Sequence, residues 1–314
     1  MISRCLLLAV LSIVCAETSF AQKKKNGSPE PYEWVQLTAN APFAKSYNFQ
    51  IFSIRDTLWV FHSEGIWFSA DGTSWTKSPL SNILGNNAFL DYVYFNDQIY
   101  ALGHFEGNIE RFRFTPSVYA TSDFKRWTLK AGVSNLPKRF FAHPFVFQNM
   151  IWIVGGNDGA HDHGDIWNSS DGVTWRKAAN ALPFAKRSGE HIIHFNGKLL
   201  MLADDVWESS DAIHWRQICT KIAGEQIYGY EPVVFNDKIW LIGCSRDGKF
   251  SSEVFVSLNG ITWEAKRALW SSRGGVAACI FKDMIVMTGG KYGGNDPAHP
   301  EFVYSNDVWG MKKK

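Results

Sequence analysis

The sequence predicts an all-β fold in which six repeated units of four antiparallel strands close into a ring. Three observations support this prediction: a hairpin segment that recurs six times, a turn rich in serine and aspartate that recurs five times, and a spare strand near the start of the mature chain. The 14 Trp and 23 Phe of this 314-residue chain agree with it, because a bulky residue that returns in every unit usually fills the same structural position.

The first repeat consists of a bulky residue, a two-residue turn and an alternating apolar run, as in Phe235-Asn236-Asp237-Lys238-Ile239-Trp240-Leu241. Asn-Asp and Asn-Gly pairs between apolar runs are typical of β-hairpin turns, because these residues tolerate positive φ. The pattern therefore indicates six hairpins, 40 to 52 residues apart. Their bulky residues are Ile54, Phe95, Phe147, Phe195, Phe235 and Phe281.

The second repeat follows five of the hairpins and has the form Ser169-Ser170-Asp171-Gly172-Val173-Thr174-Trp175. Ser, Asp and Gly together favour a tight turn whose side chains bond to their own backbone. The tryptophan then begins the next strand, so that each unit has four strands, as in a blade of a β-propeller. The five tryptophans are Trp75, Trp127, Trp175, Trp215 and Trp263.

The sixth unit has a third strand at 303–309 but no fourth strand after it. A spare strand with a tryptophan in the expected position, Tyr32-Glu33-Trp34-Val35-Gln36-Leu37, lies near the N-terminus. If this strand completes the last unit, the ring has no open edge. We therefore expect a six-bladed β-propeller, with four antiparallel strands per blade and an N-terminal strand that closes the ring. A two-sheet sandwich would explain neither the regular tryptophans nor the spare strand.

The first residues resemble an export signal. Arg4 precedes an apolar run at 5–15, which is too short to span a bilayer, and Ser19-Phe20-Ala21 ends in small residues that a signal peptidase accepts. We expect a secreted or periplasmic protein without a membrane span. The expected division is a signal peptide at 1–21, a flexible tail at 22–30, a single propeller at 31–311 and a basic tail at 312–314.

The charge of the chain argues against a nucleic-acid partner. The whole chain has a formal charge of +2, but without the signal and the six terminal lysines it has 25 basic and 29 acidic side chains. A nucleic-acid-binding domain needs a basic surface. The mature chain keeps three cysteines, Cys219, Cys244 and Cys279, whose irregular spacing leaves any pairing open. We expect a monomer.

The repeats resemble those of kelch-like propellers, a group that includes the central domain of galactose oxidase. Gly155-Gly156 and Gly289-Gly290 close second strands, as the paired glycines of the kelch motif do. The Ser-x-Asp-Gly-x-x-Trp turns resemble the Asp-box of sialidases, although they are one residue shorter. Both motifs are structural in their families, so the resemblance implies a fold over nearly all of the mature chain and no particular activity.

Three arginines occupy one position of the repeat, eight residues before the bulky residue: Arg139, Arg187 and Arg273. Because the strands that follow them line the central channel of a propeller, we expect these arginines at one mouth. A planar guanidinium pairs bidentately with a carboxylate or sulfate, so the arginines are candidate anion ligands. The alternative is that each arginine is a strut between neighbouring segments. Arginines at this position are common in kelch-like propellers.

Polar residues occupy the position four residues before the bulky residue, where a core residue would be apolar. These residues are expected to face the channel, and they are Gln50, Asp91, His143, His191 and Glu231. Gln50 and Asp91 are candidate ligand-binding residues. Histidine suits proton transfer near neutral pH, so His143, His191, Tyr228, Tyr230 and Glu231 are candidate acid, base or nucleophile residues. The alternative is a set of structural polar groups that are satisfied by water.

Taken together, these residues favour an exported propeller that binds an anionic carbohydrate or small sugar acid, of uronic or sialic acid type, at the rim of its channel. One alternative is a carbohydrate-active enzyme at the same rim: a uronate polysaccharide lyase, a sialidase-type hydrolase or a sugar epimerase. Another is a protein-binding propeller. Whether the protein is an enzyme stays open at this point, and no motif predicts a metal or a cofactor.

Overall fold

Antiparallel β-strands make up almost all of the regular structure. The computed structural model describes residues 31–47, 49–62, 64–80, 91–108, 111–294 and 298–314. The expected signal peptide and flexible tail lie outside the described residues. Within these ranges the exception to the strands is a short 3₁₀ turn at Ile222–Gly224, and no helix is long and apolar enough to cross a membrane. The predicted all-β class is therefore confirmed.

The strands form successive sheets of four, each with its strands in chain order. After β1 (Tyr32–Thr38), sheet 1 contains β2 (Gln50–Ile54), β3 (Thr57–His62), β4 (Gly65–Ser69) and β5 (Thr76–Lys77). Sheet 2 contains β6 (Asp91–Phe95), β7 (Gln98–Asn108), β8 (Arg111–Thr121) and β9 (Thr128–Ala131). Sheet 3 contains β10 (Phe145–Phe147), β11 (Met150–Val154), β12 (Ile166–Ser169) and β13 (Arg176–Ala179).

The second half of the chain continues this pattern and adds a small extra sheet. Sheet 4 contains β14 (His191–Phe195), β15 (Lys198–Leu202), β16 (Val206–Ser209) and β17 (Arg216–Cys219). Next come β18 (Ile227–Tyr228), β19 (Glu231–Phe235), β20 (Lys238–Ile242), β21 (Cys244–Arg246), β22 (Lys249–Ser251), β23 (Glu253–Ser257) and β24 (Glu264–Arg267). Of these, β19, β20, β23 and β24 form sheet 5, and β18, β21 and β22 form the extra sheet.

The last sheet combines both ends of the described chain. Sheet 6 contains β25 (Gly274–Phe281), β26 (Met284–Gly293), β28 (Val308–Lys313) and β1, and β27 (Phe302–Tyr304) pairs with the far end of β26. The register of β1 on β28 runs from Tyr32 opposite Lys313 to Thr38 opposite Val308. Strand β28 therefore continues past residue 311. Lys312 and Lys313, which were expected in a basic tail, instead pair with β1, because β1 offers backbone partners as far as Tyr32.

The turns have the geometry that their residues favour. In five of the six hairpin turns both central residues have positive φ, for example Asn236 at 50° and Asp237 at 55°. In the Asp-box-like turn after β12, Ser169 Oγ accepts a hydrogen bond from the Gly172 amide at 2.9 Å. The Trp175 indole donates to the Gly172 carbonyl at 3.1 Å. These contacts fix where each fourth strand begins.

Apolar side chains fill the spaces between consecutive sheets. One buried cluster joins sheets 1 and 2, and further clusters join sheets 2 and 3, 3 and 4, 4 and 5, and 5 and 6. A sixth cluster joins sheet 6 back to sheet 1, through residues such as Phe281 and Val286 on one side and Leu58 and Val60 on the other. The fold is therefore β-propeller-like, with sheets that pack face to face as blades do.

Trp34 of β1 tests whether the N-terminal strand is an integral part of this packing. Its ring meets that of Trp270 edge-on at 4.0 Å, and its side chain is buried in the cluster between sheets 5 and 6. We expect Trp34→Ala to lower the free energy of unfolding by about 3–5 kcal/mol in denaturant titrations, because it leaves a cavity in a packed core. Leu129→Ala, in a residue that is 53% exposed, is the control and should cost less than about 0.5 kcal/mol. Equal, small losses in both variants would show that β1 does not hold sheet 6.

Candidate functional site

The first strands of the sheets surround one cavity with a volume of about 1040 Å³. β14, β19, β25 and β2 follow one another as neighbours, and β6 adjoins β10. Their side chains face either a neighbouring sheet or the cavity. Eight of the residues singled out from the sequence line the cavity: Gln50, Asp91, His143, Arg187, His191, Tyr228, Tyr230 and Glu231.

Two histidines and a glutamate lie together on the cavity wall. The rings of His143 and His191 stack with centroids 4.2 Å apart. His191 Nδ1 lies 4.0 Å from Glu231 Oε1, and the Glu231 side chain is 32% exposed. His191 and Glu231 occupy the same position in neighbouring repeats. One ligand molecule between the two sheets can therefore contact both the imidazole and the carboxyl group.

Burial sets the protonation of this group. It lowers the pKa of His143 to about 4 and the pKa of His191 well below its usual value. It raises the pKa of Glu231 to about 8 and the pKa of Asp91 to about 7. At neutral pH both imidazoles are therefore neutral and Glu231 carries a proton. A neutral imidazole can accept a hydrogen bond or a proton, and a protonated carboxyl group can donate one. The same burial makes His191 a weaker base and Glu231 a weaker acid than they are in water.

The two candidate tyrosines have different environments. Tyr230 is 5% exposed, and its hydroxyl donates a hydrogen bond to the Ala203 carbonyl. Burial raises the pKa of Tyr230 well above its usual value. A phenol that is buried, protonated and engaged by a carbonyl is a poor nucleophile, so this environment favours a structural role for Tyr230. Tyr228 is 51% exposed and lies at the mouth of the cavity.

Gln50 has a structural contact across the cavity wall. Its side-chain oxygen accepts a hydrogen bond from the Tyr92 amide at 3.1 Å. This contact joins β2 of sheet 1 to β6 of sheet 2 next to Asp91. Gln50 therefore helps to hold the two strands together where they reach the cavity.

The three arginines form ion pairs inside the protein, and those of Arg139 and Arg273 are buried. Arg139 donates to Asp165 at 2.9 Å, and its side chain is 4% exposed. Arg187 donates to Asp205 at 2.6 Å, and the corresponding Arg273–Asp307 contact is 2.5 Å.

This geometry supports the strut alternative and contradicts the prediction that all three arginines present free guanidinium groups to an anion. Arg139 and Arg273 do not line the cavity, and Arg187 lines it with its charge already paired. A buried guanidinium needs an anionic partner within the fold, and each of these arginines already has one.

The sequence contained a signal for these pairs that the repeat alignment did not use. Wherever an arginine precedes the first strand, the third strand is preceded by Asp in an Asp-x-Trp triplet: Asp165-Ile166-Trp167, Asp205-Val206-Trp207 and Asp307-Val308-Trp309. The tryptophan indole donates to the second carboxylate oxygen, for example Trp309 Nε1 to Asp307 Oδ2 at 2.8 Å. The sheets without the arginine have Gly65, Ser117 or Glu253 at that place. The joint occurrence of Arg and Asp predicts an ion pair.

Glu190 lies next to this network and was not singled out from the sequence. It is 1% exposed, and both of its carboxyl oxygens lack a hydrogen-bond partner among the described residues. Burial raises the pKa of Glu190 to about 8. Gly155 has a φ of 57°, and a Cβ there would come within 2.7 Å of the Arg187 carbonyl oxygen and 2.1 Å of Glu190 Oε1, so the position requires glycine.

The cavity mouth is aromatic as well as polar. Tyr47, Phe141, Tyr228, Phe250 and Phe302 all contribute to its lining. Rings of this kind offer flat apolar surfaces beside the polar groups deeper in the cavity.

The described residues record neither a metal-ligand cluster nor a disulfide bond. Within the part of the chain that the structure describes, no group of three or more His, Cys, Asp or Glu side chains has the arrangement of a metal site. Cys219, Cys244 and Cys279 are free thiols.

The strut role of Arg139 is tested by removing it. We expect Arg139→Ala to lower the free energy of unfolding by about 1–3 kcal/mol in denaturant titrations, because the Gly155 carbonyl would lose its donor and Asp165 would keep Lys177 as its one cationic partner among the described residues. Arg126→Ala is the matched control: the Arg126 side chain is 84% exposed in its contact with Asp123, and its loss should leave the unfolding midpoint unchanged. A stable Arg139→Ala protein that loses ligand binding would restore the anion-binding role.

Comparisons with known proteins support the fold alone. No protein-family model matches the chain, and no curated protein matches it. The chain is similar in structure to a solved protein described as "Structure of YjhT", with a TM-score of 0.69. The two sequences are 12% identical, and the match covers 87% of this chain and 96% of the other. At that identity the likeness extends to the β-propeller-like architecture and not to a ligand or an activity.

Proposed function

We propose that the protein is an exported, six-bladed, kelch-like propeller that binds an acidic carbohydrate of uronic or sialic acid type at the mouth of its central cavity. The closed ring is supported by the cluster that joins sheets 6 and 1 and by the pairing of β1 with β28. Export to the periplasm or the exterior is supported by the charged start, the apolar run and the small residues of 1–21.

The observation that carries the proposal is the composition of the cavity wall. A volume of about 1040 Å³ is at the upper end of the range typical of ligand sites, and so suits an oligosaccharide. His143, His191 and Glu231 offer neutral donors and acceptors for sugar hydroxyls, and the rings at the mouth offer surfaces for the apolar face of a sugar.

Binding to defined glycans tests this function. We expect the protein to retain uronic acid and sialic acid oligosaccharides on a glycan array, and His191→Ala to weaken that binding by about 10-fold, because it removes a buried hydrogen-bond partner of the ligand. His214→Ala is the matched control, since the His214 side chain is 87% exposed in a turn outside the cavity lining. Absence of binding to any glycan, together with capture of a protein partner, would favour the protein-binding alternative.

A second candidate, an enzyme at the same cavity, is favoured by the pairing of His191 with Glu231. A neutral imidazole beside a protonated carboxyl group can remove a proton from one position of a sugar and donate a proton to another. In a uronate lyase the C–O bond breaks and the leaving oxygen takes the proton. In an epimerase the proton returns to the same carbon from the opposite face, or the ring oxygen takes a proton as the ring C–O bond breaks. A sialidase-type hydrolase has less support, because the Tyr230 hydroxyl is engaged by Ala203.

The pH dependence of turnover tests this candidate. Glu231 is an acid only while protonated, so we expect the rate to fall as pH rises through about 8, the pKa to which burial raises that carboxyl. Glu231→Gln should lower the rate by about 10²- to 10⁴-fold, measured as product formed from acidic polysaccharides. His214→Ala should keep the wild-type profile. A rate that rises steadily between pH 7 and 9 would contradict the assignment of Glu231 as the acid.

A further inference from the structure

Lys291 is a cation that lies between two aromatic rings at the cavity mouth. Its Nζ is 4.2 Å from the centroid of the Tyr47 ring and 4.4 Å from that of the Phe302 ring. Attraction between an ammonium group and the faces of aromatic rings holds the charge in a defined place, which is unusual for a lysine side chain.

The two rings are themselves fixed by the strands around them. Lys291 pairs through its backbone with Gly274 of β25 and Tyr304 of β27. The Tyr304 ring stacks on Tyr47 with centroids 5.8 Å apart. Phe302 lies opposite Gly293 on the same pair of strands. The ammonium position is therefore set by backbone pairing and ring packing before any ligand arrives, which is the preorganisation that a selective site needs.

Lys291 has no anionic partner within the described part of the chain. No carboxylate there lies within 4.0 Å of its Nζ, and the structure records no hydrogen bond from it. Arg187 lines the same cavity, but its charge is paired with Asp205. Lys186 also lines the cavity, but its side chain is exposed and has no ring contact to hold it. Partial burial lowers the pKa of Lys291. An anionic ligand next to the ammonium group would raise that pKa again.

We propose that Lys291 binds the carboxylate of an acidic sugar in this cavity and is the residue that selects acidic over neutral sugars. Tyr47 and Phe302 hold the ammonium group over their ring faces, and an N–H donor that faces neither ring serves the ligand. This inference rests on the proposed carbohydrate binding and deepens it: the selecting charge is a lysine held by aromatic rings, while the buried arginines serve the fold.

Matched acidic and neutral probes separate this role from a general one. The probes are 3′-sialyllactose with lactose, and trigalacturonate with galactotriose, titrated by calorimetry into the wild-type protein and Lys291→Met. We expect Lys291→Met to weaken the acidic probes by about 10- to 100-fold, the cost of one charge-assisted hydrogen-bonded contact, and the neutral probes by less than about 3-fold. Methionine keeps the apolar stem between the rings, and thermal unfolding of each variant checks the fold. Lys186→Met is the matched control and should leave the preference for acid unchanged.

Each outcome decides between the proposals. If wild-type protein prefers the acidic probes and Lys291→Met keeps that preference, the role of Lys291 is wrong and carbohydrate binding stands. The role of Lys291 is also wrong, and carbohydrate binding also stands, if Lys186→Met abolishes the preference for acidic probes. An equal loss of acidic and neutral binding in Lys291→Met leads to the same two conclusions. If wild-type protein binds neither probe of either pair, the proposed carbohydrate function fails, and the role of Lys291 fails with it.

Discussion

Burial of both faces of every sheet is the constraint on which the rest of the structure depends. Each sheet shares one apolar cluster with the sheet before it and another with the sheet after it, and sheet 6 shares its second cluster with sheet 1. With both faces covered, polar side chains of the first strands can remain wet only where those strands meet. The cavity and its polar lining of His143, His191 and Glu231 follow from that packing.

The same constraint separates structural charges from charges that can act on a ligand. Arg139 and Arg273 are buried, and Asp165 and Asp307 neutralise their charges. Because an unpaired buried charge is costly, neither arginine offers a free charge to a ligand. Lys291 lines the cavity near the end of β26, where aromatic rings satisfy the ammonium group without neutralising it. In the proposed function, recognition of an acid therefore depends on Lys291 and not on the arginines that recur in the repeat.

Features repeated in every unit could be predicted from the sequence, because each copy supports the others. The hairpin turns, the Asp-box-like turns and the spare strand around Trp34 all follow from spacing and turn chemistry. The polar position four residues before the bulky hairpin residue could also be predicted, and it places His191 and Glu231 on the cavity wall.

Contacts between distant segments were harder to predict. The Arg–Asp pairs join positions 18 to 34 residues apart, and alignment of one repeat position at a time does not compare such positions. Lys291, Tyr47 and Phe302 belong to loops and strand extensions that no repeat covers, so nothing in the sequence relates them. The burial of Glu190 could not be predicted from the sequence, because Glu190 and Gly155 come close together only in the folded chain.

The pairing of β1 with β28 also has a consequence for synthesis of the chain. The ribosome makes β1 first and its partner last, so sheets 1 to 5 can form from local hairpins while β1 waits with Trp34 uncovered. A chain cut short before Val308 would keep an open sheet edge and an unburied indole, both of which promote aggregation and degradation. Burial of Trp34 and pairing of this sheet edge therefore depend on Val308–Lys313, a segment that is made after sheets 1 to 5.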